Sequence, residues 1–310
     1  MASSLRSLFL APAFAFACVG GDDSSGTDAG PDVTQQQDVA TDTSQDVAQG
    51  FNPSLYGGLE LWVSADVGLA LQSGKMTWTD QSPKGRLVQS PNDTAPCSNP
   101  SITSAAINGI AAAHFNGSTD CFTMSQAWSD FTNGISMFVV AEPQNNNSPF
   151  EGADSAFVDL GEGTMSGPKD NITFGRAYTP TNTATGDFQL VVYNGTSGPL
   201  TSIAAGGGNT YVNGVPHLFE IIVPATAPVQ PVAGAKLYED GTSVGATTSD
   251  LVGPENTTRS KAFIGYNLSQ TANSYSGYAG LIGEILVFSR ALTDPQRQAV
   301  EAHLKTKWGL

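Results

Sequence analysis

Carboxylate side chains are considered first, because glycoside hydrolysis needs two of them at a fixed separation, one as acid and one as nucleophile or base. Alternate residues of a strand point to the same face, so a Glu-x-Asp-x-Glu strand would supply such a set. The stretch 283–287 offers only Glu284, which we expect to be a hydrogen-bonded structural residue or an edge contact. Glu239 and Asp240 are adjacent, so in a strand they would point to opposite faces. The sequence therefore predicts no hydrolase.

Motifs for a nucleophile or a metal give weaker signals. Residues 241–245 fit the G-x-S-x-G pattern of serine esterases, but that motif acts only on a sharp turn between a strand and a helix, and here a polar stretch follows. His114 and His217 lie in predicted strands and His303 in a predicted helix, and we expect packed or surface side chains rather than catalytic bases or ligands. The sequence contains no H-E-x-x-H motif, phosphate loop or dinucleotide fingerprint.

Aromatic rings beside polar groups could bind a sugar, because binding sites combine apolar surfaces with a few placed hydrogen-bonding groups. Six aromatic residues lie near predicted loops: Trp78, Trp128, Tyr178, Tyr211, Tyr275 and Tyr278. Tyr275 and Tyr278 lie in the polar, Ser- and Gly-rich run 271–280. We therefore expect these two tyrosines to be exposed and to be the best candidates for ligand contact.

Residues 1–18 are typical of a secretory signal. Arg6 precedes an apolar run from Leu8 to Phe16, which is shorter than the about 20 residues that a membrane span needs. Cys18 resembles the acylated first residue of a mature bacterial lipoprotein, and ordinary cleavage near Ala17 is the alternative. The expected product is exported, either as an outer-membrane, cell-surface or periplasmic lipoprotein or as a secreted protein, with membrane contact only through the lipid.

Residues 19–50 are typical of a disordered acidic tether. They contain seven aspartates, no Lys or Arg and few large apolar residues, so they cannot bury enough apolar surface to offset the entropy of ordering. Residues 51–310, with 21 acidic and 12 basic side chains, form one expected domain. Nucleic acid is excluded as a partner, because phosphate binding needs basic clusters and the sequence has none.

Cys97 and Cys121 are the two cysteines within the predicted domain. An oxidising compartment favours a disulfide between them, which would stabilise the fold by about 3 kcal/mol on the chain-entropy model. Two unpaired core cysteines are the alternative. Metal ligation is disfavoured, since no neighbouring Cys/His spacing resembles a zinc site.

Short apolar runs between turn-rich connections predict an all-β fold. The runs are 59–63, 110–115, 135–141, 188–193, 218–223, 235–238, 262–266 and 281–288. Their lengths and spacing favour an antiparallel sandwich. Asp240-Gly241 suits a tight hairpin turn, and 224–234, with three prolines, is an expected exposed loop. Periodicity does not separate a jelly roll from an immunoglobulin-like sandwich.

The chain ends in a predicted helix that reaches about Lys307. Thr293 can cap it and Gln296 completes a capping box, while a proline is tolerated in the first turn. The side chains that share one face at four-residue spacing are Val300, Leu304 and Trp308. We therefore expect the helix to lie against the body of the domain.

Several of these segments resemble bacterial laminin-G-like domains of the concanavalin A-like lectin and glucanase superfamily. The C-terminal strand and helix are similar to the end of those domains. Further matches are 59–66, 76–82, 113–122, 135–141, 217–223 and 236–241, so the resemblance covers about residues 55–310. It implies an antiparallel jelly-roll sandwich with a short C-terminal helix. It places Trp78 at a core position, with ligand contact as the weaker alternative.

The resemblance also implies a binding function. Laminin-G relatives often bind calcium at a rim through oxygen ligands, which suit a hard cation, and calcium is therefore the one cofactor considered. The candidate ligands in predicted loops are Asp154, Asp159, Asp170 and Asn171. The expected function is a surface-anchored, non-catalytic module that recognises extracellular or envelope carbohydrate. A protein-protein adhesion module and a divergent polysaccharide hydrolase or lyase are the alternatives.

Overall fold

The structure is a computed structural model of the chain. It describes residues 50–91, 97–124, 128, 131–144, 155–161, 171–177, 185–194, 200–205, 210–244, 246–249, 251–267 and 276–310. These residues belong to one unit, Gln49–Leu310. The predicted signal segment, with Cys18, and the predicted tether up to residue 49 lie outside the described residues. Within the described ranges, no helix has the length and apolar character needed to cross a membrane.

Strands dominate the described part of the chain. They are β1 (Leu59–Ser64), β2 (Leu69–Gln72), β3 (Lys75–Thr79), β4 (Leu87–Gln89), β5 (Ser101–Ile107), β6 (Ile110–Asn116), β7 (Phe122–Met124), β8 (Ile135–Pro143), β9 (Ala156–Gly161), β10 (Ile172–Arg176), β11 (Thr185–Gly186), β12 (Phe188–Tyr193), β13 (Leu200–Ala205), β14 (Tyr211–Val212), β15 (His217–Val223), β16 (Lys236–Glu239), β17 (Thr242–Val244), β18 (Ala246–Ser249), β19 (Lys261–Ile264), β20 (Tyr266–Asn267), β21 (Ser276–Gly277) and β22 (Ala279–Phe288). The helices are a 3-10 turn (Pro53–Tyr56), α1 (Ala65–Gly68) and α2 (Asp294–Trp308).

Two large antiparallel sheets form the body of the domain. The eight-stranded sheet has the order β17-β16-β15-β8-β22-β6-β5, and β1 also pairs with β22. The ten-stranded sheet has the order β18-β13-β12-β10-β9-β19-β7-β4-β3-β2. The predicted antiparallel jelly-roll sandwich with a C-terminal helix is confirmed as the fold class. Six of the eight predicted apolar runs lie wholly in observed strands, while 235–238 begins one residue before β16 and 262–266 spans β19 and β20.

The two sheets are held together by aromatic rings between them. Phe219 of the eight-stranded sheet stacks on Phe157 of the ten-stranded sheet, with ring centroids 5.1 Å apart. Its edge-to-face contact with Phe188 of the ten-stranded sheet has a centroid distance of 5.0 Å. All three rings are fully buried. Each aromatic pair contributes about 0.5–1.5 kcal/mol beyond the burial of its area, so this contact decides which face of each sheet points inward.

Helix α2 covers the other face of the eight-stranded sheet. The capping box at Thr293 and Gln296 is present as predicted, and the helix ends at Gly309 in a left-handed conformation. Val300, Leu304 and Trp308 are buried, which confirms the predicted packing face. Strand β22 is consequently buried along all ten residues, which accounts for its nearly continuous apolar sequence.

Glu284 of β22 holds the end of helix α2 against the sheet. Its side chain is fully buried and accepts hydrogen bonds from the indole nitrogens of Trp62 and Trp308, both at 2.7 Å. It also accepts from Ser64 at 3.0 Å and pairs with the Lys307 ammonium at 2.8 Å. Gly283 permits this close approach, because a Cβ at that position would lie 2.7 Å from the Trp308 ring. The expectation that Glu284 is a hydrogen-bonded structural residue is confirmed.

A second buried carboxylate lies under the first turns of the same helix. Arg297 donates to Glu220 of β15 at 3.0 Å and to Glu301 at 2.8 Å, and its guanidinium lies 4.0 Å from the Tyr238 ring centroid. Burial raises the pKa of Glu220 to about 7 even though Arg297 acts to lower it. The free-energy cost of burying the charged form of this carboxylate thus exceeds the stabilisation from its ion pair with Arg297.

We predict that Glu284→Gln destabilises the domain by about 3 kcal/mol, because the amide can accept only part of the buried hydrogen bonds and leaves Lys307 with Asp66 as its one charged partner among the described residues. Urea denaturation followed by tryptophan fluorescence measures this free energy of unfolding. Glu255→Gln is the control, because its carboxylate forms no hydrogen bond or ion pair with a described residue, and it should change stability by less than about 0.5 kcal/mol. Equal effects of the two substitutions would contradict the account of Glu284.

We predict that Glu220→Gln flattens the pH dependence of thermal stability. The pKa of Glu220 is higher in the folded state, about 7, than its ordinary value of 4.5. Protonation therefore favours folding, and the stabilisation is fully present below about pH 4.5 and lost as the pH rises through about 7. Calorimetric scans of both proteins across this range test the prediction. A variant with the wild-type slope would show that Glu220 does not titrate there.

Candidate functional site

One row of directly paired residues crosses the ten-stranded sheet on the side away from the core. It runs through Ser202, Val191, Thr173, Asp159, Phe263, Thr123, Gln89 and Thr77, each opposite the next. Their strand neighbours on either side, such as Ile172 and Phe174, belong to the core between the sheets, whereas these residues do not. Alternate strand residues point to opposite faces. We call this set the outer row.

The centre of the outer row is polar and buried. Thr173 of β10 donates its hydroxyl hydrogen to Asp159 of β9 at 2.7 Å, and the two residues are 2% and 0% exposed. Asn171 lies two residues before Thr173 and therefore on the same face. Its backbone carbonyl accepts the N–H of Tyr193 at 2.9 Å, so the half-buried Tyr193 lies beside it on the next strand.

Asn171 differs from the other buried polar residues of this face. It is 0% exposed, yet neither its amide oxygen nor its amide nitrogen bonds to any described residue. Gly161 leaves room for this amide, because a Cβ at Gly161 would overlap the Asn171 side chain. An unpaired buried amide costs about 1–3 kcal/mol. Native proteins keep few such groups, and ligand sites are among the places where they occur.

The aromatic part of this outer face rests on the disulfide. Cys97 and Cys121 are bonded with Cα atoms 5.4 Å apart, as predicted. With Phe263 of the outer row and Tyr266 they form a hydrophobic cluster separate from the main core. The two rings have centroids 5.9 Å apart. The bridge therefore fixes the strands on one side of Asp159.

Two aromatic residues predicted to contact ligand belong to the core instead. Tyr278 is 0% exposed, lies between Phe115 and Phe157, and donates its hydroxyl hydrogen to the Leu281 carbonyl. The prediction that Tyr278 is exposed is wrong, because the polar run ends at the point where the chain enters β22. Trp78 is 1% exposed and packs on Phe122, so it has the core position that the resemblance implies. Tyr275 lies outside the described residues.

The calcium candidates are only partly described. Asp154 and Asp170 lie outside the described residues. Asp159 lies within strand β9 rather than in a loop, and Asn171 directly precedes β10, so the predicted loop position of Asp159 is wrong. Both side chains nevertheless lie on the outer face of the same sheet. Calcium binding by this pair stays a prediction. Sequence analysis does not identify Thr173 or Tyr193 as site residues. The alternation of apolar and other residues in 172–176 is the signal that could have placed Thr173 on the face away from the core.

A separate cluster of His217, Glu239 and Asp240, here called the His217 cluster, lies at the start of β15 and the β16–β17 turn. The Nδ1 atom of His217 is 2.9 Å from Asp240 Oδ2 and 3.2 Å from Glu239 Oε1. His217 and Glu239 are buried, while the Asp240 side chain is 39% exposed. The two carboxylates were expected to point to opposite faces. That expectation is wrong, because Asp240 has a φ of +50° and has left the strand conformation.

Electrostatics couple the three groups. Burial acts to lower the pKa of His217, but the hydrogen bond to Asp240 and the two negative charges outweigh it, and the net shift is upward. Burial raises the pKa of Glu239 to about 7, with added repulsion from Asp240 and Asp187. Burial also acts to raise the pKa of Asp240, yet hydrogen bonds from His217 and the Leu218 N–H keep it below its usual value.

The other nucleophile and histidine candidates do not form a site with described residues. Ser243 of the G-x-S-x-G segment lies in the exposed strand β17, and the next described segment is strand β18 rather than a helix. His114 is 3.4 Å from the Ser101 hydroxyl. His303 stacks on Phe51 with ring centroids 3.9 Å apart. These two histidines therefore have the packed or surface positions that the sequence predicts.

Comparisons with known proteins support the fold. No protein family and no curated protein matches the chain. The botulinum neurotoxin serotype D binding domain is 9% identical with a TM-score of 0.50, over 80% of this chain and 52% of that one. A Trypanosoma rangeli sialidase in complex with sialic acid is 14% identical with a TM-score of 0.46, over 81% and 33%. The Ruminococcus gnavus IT-sialidase CBM40 bound to alpha2,3 sialyllactose is 13% identical with a TM-score of 0.39, over 58% and 94%.

The chain thus spans about half of the toxin binding domain and a third of the sialidase. At these identities the likeness concerns the arrangement of strands and not the residues of a site. Carbohydrate-binding proteins are found among the similar structures. For this chain, the likeness to the toxin binding domain supports the antiparallel β-sandwich fold.

Proposed function

We propose that this protein is a non-catalytic carbohydrate-binding module that acts outside the cell. The ligand face is the outer face of the ten-stranded sheet around Asp159, Asn171 and Thr173. The observation that carries the proposal is the buried Asn171 amide, which has no hydrogen-bond partner among the described residues. It lies on the face that points away from the core, next to a hydrogen-bonded hydroxyl and carboxylate.

The chemistry of these groups suits sugar hydroxyls. A hydroxyl both donates and accepts, so it can pair with a carboxylate, a threonine hydroxyl and either end of an amide. Asp159 and Thr173 already orient each other at 2.7 Å, which reduces the ordering cost of binding. Tyr193 adds a half-buried ring on the strand beside Asn171. A calcium ion held by Asp159 and Asn171 would use oxygen ligands of the same type.

The absence of catalysis is part of the proposal. Glycoside hydrolysis needs a second carboxyl group across the scissile bond. Glu284 is engaged by four donors beneath helix α2. Among the described residues at the centre of the outer face, Asp159 is the one carboxylate. A binding module needs no more than this, and a protein-adhesion module with the same sandwich is the competing function.

We predict that Asn171→Ala and Thr173→Val each weaken glycan binding by about tenfold, the equivalent of one lost hydrogen bond of about 1.4 kcal/mol. A glycan array, probed with and without calcium, identifies the sugar. The array includes alpha2,3 sialyllactose, the sugar named for the Ruminococcus gnavus module. Titration of the variants then gives their affinities, and a thermal melt confirms that they fold.

Thr77→Val is the matched control, because Thr77 belongs to the outer row but lies on β3, towards one edge of the sheet. It should bind like the wild type. Loss of binding in this control alone would move the site away from Asn171. A protein partner combined with silence across the array would favour adhesion. Turnover of a polysaccharide that a single carboxylate substitution abolishes would contradict the non-catalytic function.

We further propose that Cys18 carries a lipid that anchors the protein to a bacterial membrane, with residues 19–50 as the tether. We predict that wild-type protein partitions into the detergent phase of Triton X-114 and that Cys18→Ser moves it to the aqueous phase. Cys97→Ser with Cys121→Ser should keep the detergent partition. Detergent-phase recovery of the Cys18→Ser protein would exclude lipidation at this residue.

A further inference from the structure

We propose that His217, Glu239 and Asp240 bind one divalent transition-metal ion, with Zn²⁺ as the best fit. One ligand atom of each residue lies within 4.8 Å of the other two. The Nδ1 atom is 2.9 Å and 3.2 Å from the two carboxylate oxygens. Ligand atoms around a tetrahedral zinc are about 3.4 Å apart at bond lengths of about 2.1 Å. Each carboxylate oxygen therefore needs to move only a few tenths of an ångström away from Nδ1.

The three ligands are held in place by the β-sheet before any ion binds. Strands β15 and β16 pair directly. The Leu218 N–H donates to Asp240 Oδ1 at 2.8 Å, and the Asp240 N–H donates to the Leu218 carbonyl at 2.9 Å. These bonds leave Asp240 Oδ2 directed at the imidazole. A metal site built on paired strands and a tight turn keeps its ligand geometry better than one on a loop.

The charge around the cluster favours a dication. Glu239 and Asp240 both face a single imidazole nitrogen, and Asp187 adds a third negative charge that acts on Glu239. The cation on helix α2, Lys305, donates to the backbone carbonyl of Asp240 at 2.9 Å rather than to either carboxylate. From the β10 and β14 side, Arg176 donates to the Tyr211 hydroxyl at 2.6 Å. Apart from His217, neither Glu239 nor Asp240 forms an ion pair with a described residue.

The ligand set selects the class of ion. Imidazole suits zinc and the other late first-row metals, whereas calcium and magnesium prefer oxygen ligands alone. Two carboxylates and one histidine leave a fourth position, and the 39% exposure of the Asp240 side chain gives water access to it. Binding at Nδ1 leaves the imidazole hydrogen on Nε2. The metal replaces the hydrogen bond between Nδ1 and Asp240 Oδ2, and the protonated Nε2 no longer accepts from the Val212 N–H, a contact that is long at 3.4 Å.

The test uses the full chain with Cys18→Ser, which removes the one thiol outside the disulfide, after treatment with EDTA and its removal. We expect one Co²⁺ to bind with the visible absorption of tetrahedral cobalt and Zn²⁺ to displace it. We expect Zn²⁺ at a hundred times its Kd to raise the Tm by about 5–10 °C. Ca²⁺ at the same concentration should give neither signal.

Three variants test the ligands. His217→Gln and Glu239→Gln should each weaken Co²⁺ binding by at least about tenfold, and Asp240→Asn should do the same while keeping the turn, because Asn also adopts the left-handed conformation. His114→Gln is the matched control and should bind as before. An absence of cobalt absorption, or absorption retained after both His217→Gln and Glu239→Gln, would overturn the proposal. The outer face around Asn171 plays no part in this site, so glycan binding can succeed or fail independently.

Discussion

The contact between the inner faces of the two sheets determines what the rest of the molecule can do. Phe219 packs on Phe157 and Phe188, and this contact turns every second residue of the ten-stranded sheet away from the core. Helix α2 then buries the second face of the smaller sheet through Val300, Leu304 and Trp308. Among the described residues, neither the core between the sheets nor helix α2 packs on the outer face of the larger sheet. The glycan-binding proposal is therefore based on the polar groups of that face.

Buried polar side chains in this fold divide into two kinds. Glu284 has four donors around it, and Glu220 has Arg297. Their partners come from helix α2 and β1, so their hydrogen bonds hold layers together. Asn171 has no such partner among the described residues and contributes nothing comparable to stability. Glu284 and Glu220 are therefore structural carboxylates, whereas the Asn171 amide still has its hydrogen bonds to form, which a bound ligand would supply.

Features set by local sequence were predictable. The capping box at Thr293, the buried strand around Glu284 and the turn at Asp240 follow from residues close together in the chain. The outer row was not predictable, because it joins eight strands whose register depends on pairings between distant segments. The sequence wrongly predicts an exposed Tyr278. The polar residues before it do not determine whether the first side chains at the next strand point into the core or towards solvent. The His217 cluster was missed because alternation fails at the left-handed Asp240.

The central claim is that the ligand occupies the outer face of the ten-stranded sheet at Asn171. A crystal structure of the protein with the glycan that binds best on the array tests it most directly. The account predicts a sugar hydroxyl within about 2.7–3.2 Å of the Asn171 amide, with Thr173 or Asp159 as a second contact. A sugar bound against helix α2 or at the edge of the eight-stranded sheet, with Asn171 out of reach, would contradict it.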